Sequence, residues 1–331
     1  MASMSAWVVT SKGAPRDVLE LREVPVPEPG PGFLRLAVDA AAIGLPDVLM
    51  CRGTYPLTPS GIFTPGQEVV GRVTAVGEGV DPRLLGTRRL GVTAFYLGSG
   101  GFAAEALAAE ATTFVAPDWL ADRDAAGFHI PFLTAWIGLE DRGALARGEH
   151  LVVLGAAGGT GAAAVQLGRA RGAHVIAVAG GAEKTAFCRA AGADIVIDHR
   201  SGDLVAMVRD ATGGHGADII FDPVGGKSAT ALTAAMANQG RFLLVGFASG
   251  AWPQFNPVAL VQHNFSVVGV FAGAYDQAHA EAAYGVMLPM LQDGSLASIV
   301  TREIPFTDLP EALESLADRS AIGKCIVKRQ P

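Results

Sequence analysis

The stretch with the clearest chemical spacing carries almost no reactive side chain. In "LGAAGGTGAAAVQ", Leu154 to Gln166, the pattern Ala156-x-Gly158-x-x-Gly161 follows an apolar run and opens a helical one. This is the fingerprint of a dinucleotide-binding turn, with Ala at its first position. The chemistry is anion recognition. A glycine at 158 lets the backbone approach a pyrophosphate, a glycine at 161 lets the helix pack close to the strand, and the helix N-terminus offers free N–H groups. Ala157, Gly158, Gly159, Thr160 and Gly161 are therefore the expected cradle.

About twenty residues beyond such a turn, an NAD enzyme places Asp or Glu against the adenosine ribose. This chain has Gly180 and Gly181 there, with Glu183 and Lys184 just after. Lys184 suits a 2′-phosphate as a compact point charge, which makes NADPH the expected cofactor. Glu183 against a ribose hydroxyl is the alternative.

These residues need a scaffold, and the apolar pattern supplies one. From about residue 150, short buried runs ("LVVL", "HVIAVA", "IVI", "ADIIF", "RFLLVGF") alternate with helical segments ("TGAAAVQLGRARG", "EKTAFCRAAG", "GDLVAMVRDATG", "ATALTAAMANQG"). Strict alternation gives a parallel sheet with helices on both faces. Residues 1 to about 125 read mainly as strands, among them "AWVV", "FLRLAVDAAA" and "EVVGRVTAVG", with Pro and Gly between them. The fold class is α/β, a β-rich unit beside a doubly wound parallel sheet.

Composition narrows the function. A chain of 331 residues, half of them hydrophobic, fills about two domains. Its net charge of -7 gives no footprint for nucleic acid or an anionic membrane surface. No apolar run is long enough to cross a bilayer, and "MASMSAWVVT" has no basic segment ahead of a hydrophobic one, so a cytoplasmic protein is expected. Cys51, Cys188 and Cys325 are widely spaced and odd in number, which suggests neither a disulfide framework nor a cysteine metal site.

With these motifs in hand, the chain resembles the medium-chain dehydrogenase/reductase superfamily, and within it the zinc-independent NADPH:quinone oxidoreductases. The likeness covers nearly the whole chain: "LPDVLMCRGTYP", "PGQEVVGRVTAVGEGV", "FLTAW", the glycine-rich turn, "FDPVGG", "GRFLLVGFASG", "SVVGVFAGAY" and "AIGKCIV". The resemblance implies a GroES-like catalytic domain over residues 1–126, completed by 271–331, and a Rossmann domain over 127–270. It also implies an active site in the cleft between them and a homodimer formed through "FSVVGVF".

Residue roles carry over by position. Tyr55 matches a tyrosine that reaches the substrate, and Thr134 a threonine near the nicotinamide. His199 stands where NADPH-dependent relatives have Tyr near the 2′-phosphate. Phe247, Val270 and Phe271 line the nicotinamide pocket, and Lys324 joins the cofactor set. Asp47 and Arg52 are expected in a structural ion pair, with each other or with Lys324, and His129 reads as a core or cleft-edge histidine.

The departures are as informative. Zinc-binding relatives carry Cys at the position of Gly44 and His at the position of Gln67, so no catalytic zinc is expected. Many zinc-free relatives carry Asn at Gly44, which is also missing. A zinc ion contributes several kcal/mol of Lewis-acid stabilisation, against roughly 2.7–4 kcal/mol for one oxyanion donor. An acceptor that is already electrophilic follows, a quinone or an alkene conjugated to a carbonyl. An enoyl-thioester reductase and a non-catalytic NADPH-binding or sensing protein are the alternatives.

Overall fold

Alternating burial in the first part of the chain and unbroken apolar runs in the middle produce two different sheets. The structure, a computed structural model, describes residues 2–328. Within them, residues 2–130 and 298–328 make one compact unit and residues 131–297 a second.

The first unit contains β1 (Ser3–Val9), α1 (Pro15–Val18), β2 (Leu19–Pro25), β3 (Phe33–Ile43), α2 (Leu45–Cys51), β4 (Glu68–Val76), β5 (Arg88–Val92), β6 (Glu105–Ala109), β7 (Thr113–Val115) and α3 (Asp122–Ala126). The end of the chain adds β14 (Val300–Pro305), α11 (Leu309–Ala317) and β15 (Lys324–Lys328). Its seven-stranded sheet runs β14-β15-β3-β4-β5-β7, with β6 on β3. In β3, Leu34, Leu36, Val38 and Ala40 point inward while the residues between them are half-buried, the period-two pattern of a one-faced sheet. Two register shifts between β3 and β4 bend the pair. The core gathers Leu34, Leu36, Val69, Phe102 and, from the end of the chain, Leu309 and Val327.

Between the units the chain passes through α4 (His129–Trp136), which widens into π-helical turns over Ile137–Arg142. The second unit has β8 (His150–Val153), α5 (Gly159–Ala170), β9 (His174–Ala179), α6 (Ala182–Ala190), β10 (Ile195–Asp198), α7 (Leu204–Ala211), β11 (Ala217–Asp222), α8 (Gly226–Leu232), β12 (Met236–Leu244), α9 (Pro257–His263) and β13 (Ser266–Gly269). It runs past the 270 expected from the resemblance and takes in α10 (Gln277–Gln292). All five strand pairs are parallel, in the order β10-β9-β8-β11-β12-β13. Counted from β8 this is 3-2-1-4-5-6, the doubly wound nucleotide-binding order whose switch point lies between β8 and β11.

One sequence expectation needs correction. "ATALTAAMANQG" reads as one helix, but α8 ends at Leu232 and β12 begins at Met236. Burial of Met236, Ala237 and Gly240 decides it, and the left-handed Gln239 (φ 63°) accompanies the register shift against β11. Among the described residues no helix is long and apolar enough to cross a membrane.

Candidate functional site

The glycine-rich turn lies where β8 ends. Gly158 caps α5, and the first-turn N–H groups of Gly159, Thr160 and Gly161 have no acceptor within the helix. The two fingerprint glycines differ physically. A Cβ on Gly161 would stand 2.3 Å from the Gly155 carbonyl oxygen and 2.8 Å from the Ala156 Cα, so close packing of the turn on α5 excludes any side chain. Gly158 is exposed and extended (φ -87°), and a Cβ there would meet only the Gly155 oxygen at an ordinary 3.4 Å. Neither backbone conformation nor packing in the chain requires glycine at 158. The space beside it fits a ligand that comes close to the backbone.

At the end of β9, Gly180 and Gly181 are surrounded by basic groups. A Cβ on Gly180 would lie 2.6 Å from His199 Nε2 and 2.8 Å from Arg200 Nε, and one on Gly181 3.0 Å from an Arg200 guanidinium nitrogen. The glycines thus make room first for basic side chains. Lys184 faces the same cluster: burial, then the Arg200 guanidinium, hold its amine below the usual range. Asp198 is the nearby acid at the end of β10, but its oxygens accept from Gly181 N and Arg200 N, both at 3.0 Å. Arg200 is absent from the sequence expectation. Its adjacency to His199 in "IDHR" was the available signal.

Further along the same unit, Val270 and Phe271 line a cavity of about 640 Å³ with Arg142, Leu244, Trp252 and Tyr275. Phe247 joins this surface through Trp252, its ring partner at 4.7 Å. Thr134 lies half-buried on α4, just before the π-helical turns.

The first unit holds a buried polar cluster around α2. Asp47 accepts from Gly44 N (2.8 Å) and Gly66 N (3.0 Å), and burial raises its carboxyl to about 6. Lys324 Nζ sits 2.9 Å from Glu68 Oε2, and Glu68 Oε1 accepts from Ile130 N. The ion pair expected at Asp47 is therefore made elsewhere: Lys324 pairs with Glu68, and Asp47 is held by backbone N–H groups. His129 stacks on Phe114, and burial, helped by the Lys324 charge, lowers it to about 3, so it stays neutral. The half-buried Tyr55 packs on Phe95 and edges a cavity of about 530 Å³ with Thr10, Lys12, Met50 and Phe63. Burial raises its phenol, opposed by a hydrogen bond from Gln67.

Comparison with known proteins places this geometry. Residues 159–288 match the zinc-binding dehydrogenase family. A quinone oxidoreductase-like protein 2 homolog of Nematostella vectensis is 32% identical over 303 residues, covering 90% of this chain and 82% of that protein. The chain belongs to the medium-chain dehydrogenase/reductase superfamily, quinone oxidoreductase-like branch. Quinone oxidoreductase of Rattus norvegicus is 29% identical, covering 98% and 97% of the two chains. Among solved structures, a probable oxidoreductase from Mycobacterium abscessus superposes with a TM-score of 0.85 at 32% identity, covering 99% of each chain. A mycobacterial protein solved with NADPH gives 0.90 at 27%, covering 98% and 100%.

The superfamily's catalytic zinc does not fit this chain. Gly44 offers no ligand, and the Gln67 amide is engaged with Met50 Sδ (3.7 Å) and the Tyr55 phenol. A Cβ at Gly44 would stand 4.0 Å from the Lys324 ammonium, which would repel a dication placed there. Both positions lie outside the matched 159–288 segment.

Proposed function

We propose that this chain is an NADPH-dependent reductase of quinones or conjugated enones that works without zinc. The observation that carries this is the grouping of Lys184, His199 and Arg200 around two glycines at the end of β9, beside a turn whose Gly158 has no structural reason to be glycine. A 2′-phosphate there relieves the repulsion between Lys184 and Arg200. The NADPH complex of the mycobacterial relative and the quinone oxidoreductase relatives support the same reading.

The Gly158–Gly161 backbone would hold the pyrophosphate, and Val270 and Phe271 would flank the nicotinamide. Bound there, the reduced nicotinamide supplies a hydride. The chain's own contribution is to bind, orient and donate. The half-buried Tyr55 phenol, raised by burial, stays protonated at neutral pH and can donate to an acceptor oxygen as it gains charge. Such a donor suits an electrophilic acceptor, where a simple aldehyde needs a Lewis acid. Three free thiols suit a reducing cytoplasm, and a homodimer through β13 completes the proposal.

The test follows NADPH oxidation with panels of quinones, conjugated enones and simple aldehydes, before and after exhaustive chelation. Turnover of the first two classes, unchanged by chelator, is expected. Turnover confined to aldehydes, or lost on chelation, would overturn the proposal.

A further inference from the structure

The opposite edge of the parallel sheet carries three of the chain's seven histidines. His150 and His174 are the first residues of β8 and β9 and face each other in register, with ring centroids 5.3 Å apart. Asp218, near the start of the neighbouring β11, takes the His150 backbone N–H on Oδ2 at 2.8 Å. That bond fixes the carboxylate. His215 reaches it from the turn before β11, its Nε2 2.8 Å from Asp218 Oδ1, while His150 Nδ1 lies 3.6 Å from Oδ2. Two imidazoles thus converge on one anchored carboxylate, their rings 5.6 Å apart, with donor atoms of all three residues within 4.8 Å of one another.

We propose that His150, His215 and Asp218 form a binding site for a divalent transition metal of the Zn²⁺ class, remote from the cofactor turn. In a tetrahedral site with metal–ligand bonds of about 2.0–2.2 Å, neighbouring ligand atoms stand roughly 3.3–3.6 Å apart. The two separations run to different oxygens, 3.6 Å from His150 Nδ1 to Oδ2 and 2.8 Å from His215 Nε2 to Oδ1. Binding through one oxygen therefore needs an opening of the His215 hydrogen bond and a small turn of side chains whose ligand atoms already lie within 4.8 Å of one another. The opening is available at His215. Its side chain is 55% exposed, and it sits among Gly213, Gly214 and Gly216, all with left-handed φ; a Cβ on either of the first two would meet nothing. Two imidazole nitrogens and one carboxylate oxygen suit Zn²⁺, Co²⁺, Ni²⁺ or Cu²⁺, whereas Ca²⁺ and Mg²⁺ require oxygen-rich shells. Arg241, which donates to the Asp218 backbone oxygen at 3.4 Å, is itself paired with Glu149 at 2.7 Å. Three protein ligands leave a fourth position for water.

All strands of a parallel sheet start at the same edge, so the four residues of β8 separate this site from the glycine-rich turn by ~13 Å. The site is independent of the proposed reductase activity. Occupancy would tie β8 to β11 and to the turn holding His215, acting on stability and leaving hydride transfer alone.

Titration of the full-length, chelator-stripped protein with Zn²⁺ by isothermal calorimetry tests this, with Co²⁺ ligand-field absorption as a second readout. About one equivalent is expected to bind, with a rise in Tm. His215→Gln and Asp218→Asn should each weaken binding at least tenfold and abolish the Tm shift, as loss of one of three ligands implies. His279→Gln, which breaks the separate His279–Asp141 pair, should leave binding unchanged. His215 is exposed, so its variant should keep the wild-type fold, checked by circular dichroism. No binding by the wild type, or one equivalent that persists in folded His215→Gln, would overturn the proposal.

Discussion

Gly158 and Gly161 stand in one turn yet are glycine for different reasons, one facing open space and the other a carbonyl oxygen. Gly158→Val should therefore leave the chain folded, with about 1 kcal/mol lost at the helix cap, while NADPH affinity falls at least tenfold as the isopropyl group fills the pyrophosphate space. Fluorescence titration beside thermal melting separates the two effects, and unchanged affinity would remove the turn from the cofactor site. The ribose end gives a second test. A charge-assisted hydrogen bond contributes roughly 1.5–3 kcal/mol, about a ten- to hundredfold preference for NADPH over NADH. Lys184→Ala and Arg200→Ala should each erase much of that preference with little change for NADH. Equal dissociation constants for both cofactors in the wild type would sink the assignment; a preference for NADH that Glu183→Ala weakens would move the role to Glu183.

The elements were legible in the sequence where local pattern and tertiary environment agree. β9 and the start of α5 read directly from apolar runs and glycine spacing, because a strand buried on both faces has little freedom in composition. The beginning of β12 did not, since Ala-rich "TAAMA" satisfies helical propensity and only packing against β11 makes it a strand. The Lys324–Glu68 pair was likewise hidden, because 256 positions separate its members and only pairing of β15 with β3 brings them together. β11 carries a further consequence at its end. Asp222 Oδ1 accepts from Val224 N and Gly225 N at 2.8 Å, while Oδ2 is buried without a hydrogen-bond partner, and burial raises the carboxyl from 3.8 to about 6. A native carboxyl raised in this way favours the folded state fully below the unfolded value, and that contribution is lost as pH rises through about 6. The shift corresponds to about 3 kcal/mol. Asp222→Asn keeps an oxygen for both N–H groups and removes the charge. Denaturant melts without cofactor should show the variant close to wild type at pH 4 and more stable by up to about 3 kcal/mol at pH 8. A difference independent of pH would show that Asp222 is not the group responsible.

For the molecule as a whole, the open edge of the parallel sheet is where self-association is to be tested. β13 is the last strand, and among the described residues no strand pairs with its outer side. From Asn264 to Phe271 the sequence "NFSVVGVF" contains no charge, and Phe271 is 64% exposed next to it. An uncharged open edge invites pairing with another chain, and pairing with its own copy across a two-fold axis closes the assembly at two. The outward groups can be assigned. Val270 N–H donates to Leu244 O, toward β12, so alternation along the strand turns the Val267 N–H outward; the outward Gly269 carbonyl accepts from Arg142 Nε at 3.1 Å. Val267→Pro would delete an outward donor while sparing the bonds to β12, and proline is tolerated on an edge strand. Sedimentation equilibrium should give twice the 34.0 kDa chain mass for the wild type and a shift toward a single chain for Val267→Pro, with circular dichroism unchanged. A wild-type monomer at micromolar concentration, or a Val267→Pro dimer as tight as the parent, would place the interface elsewhere. A dimer lost in the variant would also test whether the Phe271 side of the cavity proposed for the nicotinamide depends on the second copy, since Kd for NADPH would then rise as the dimer dissociates.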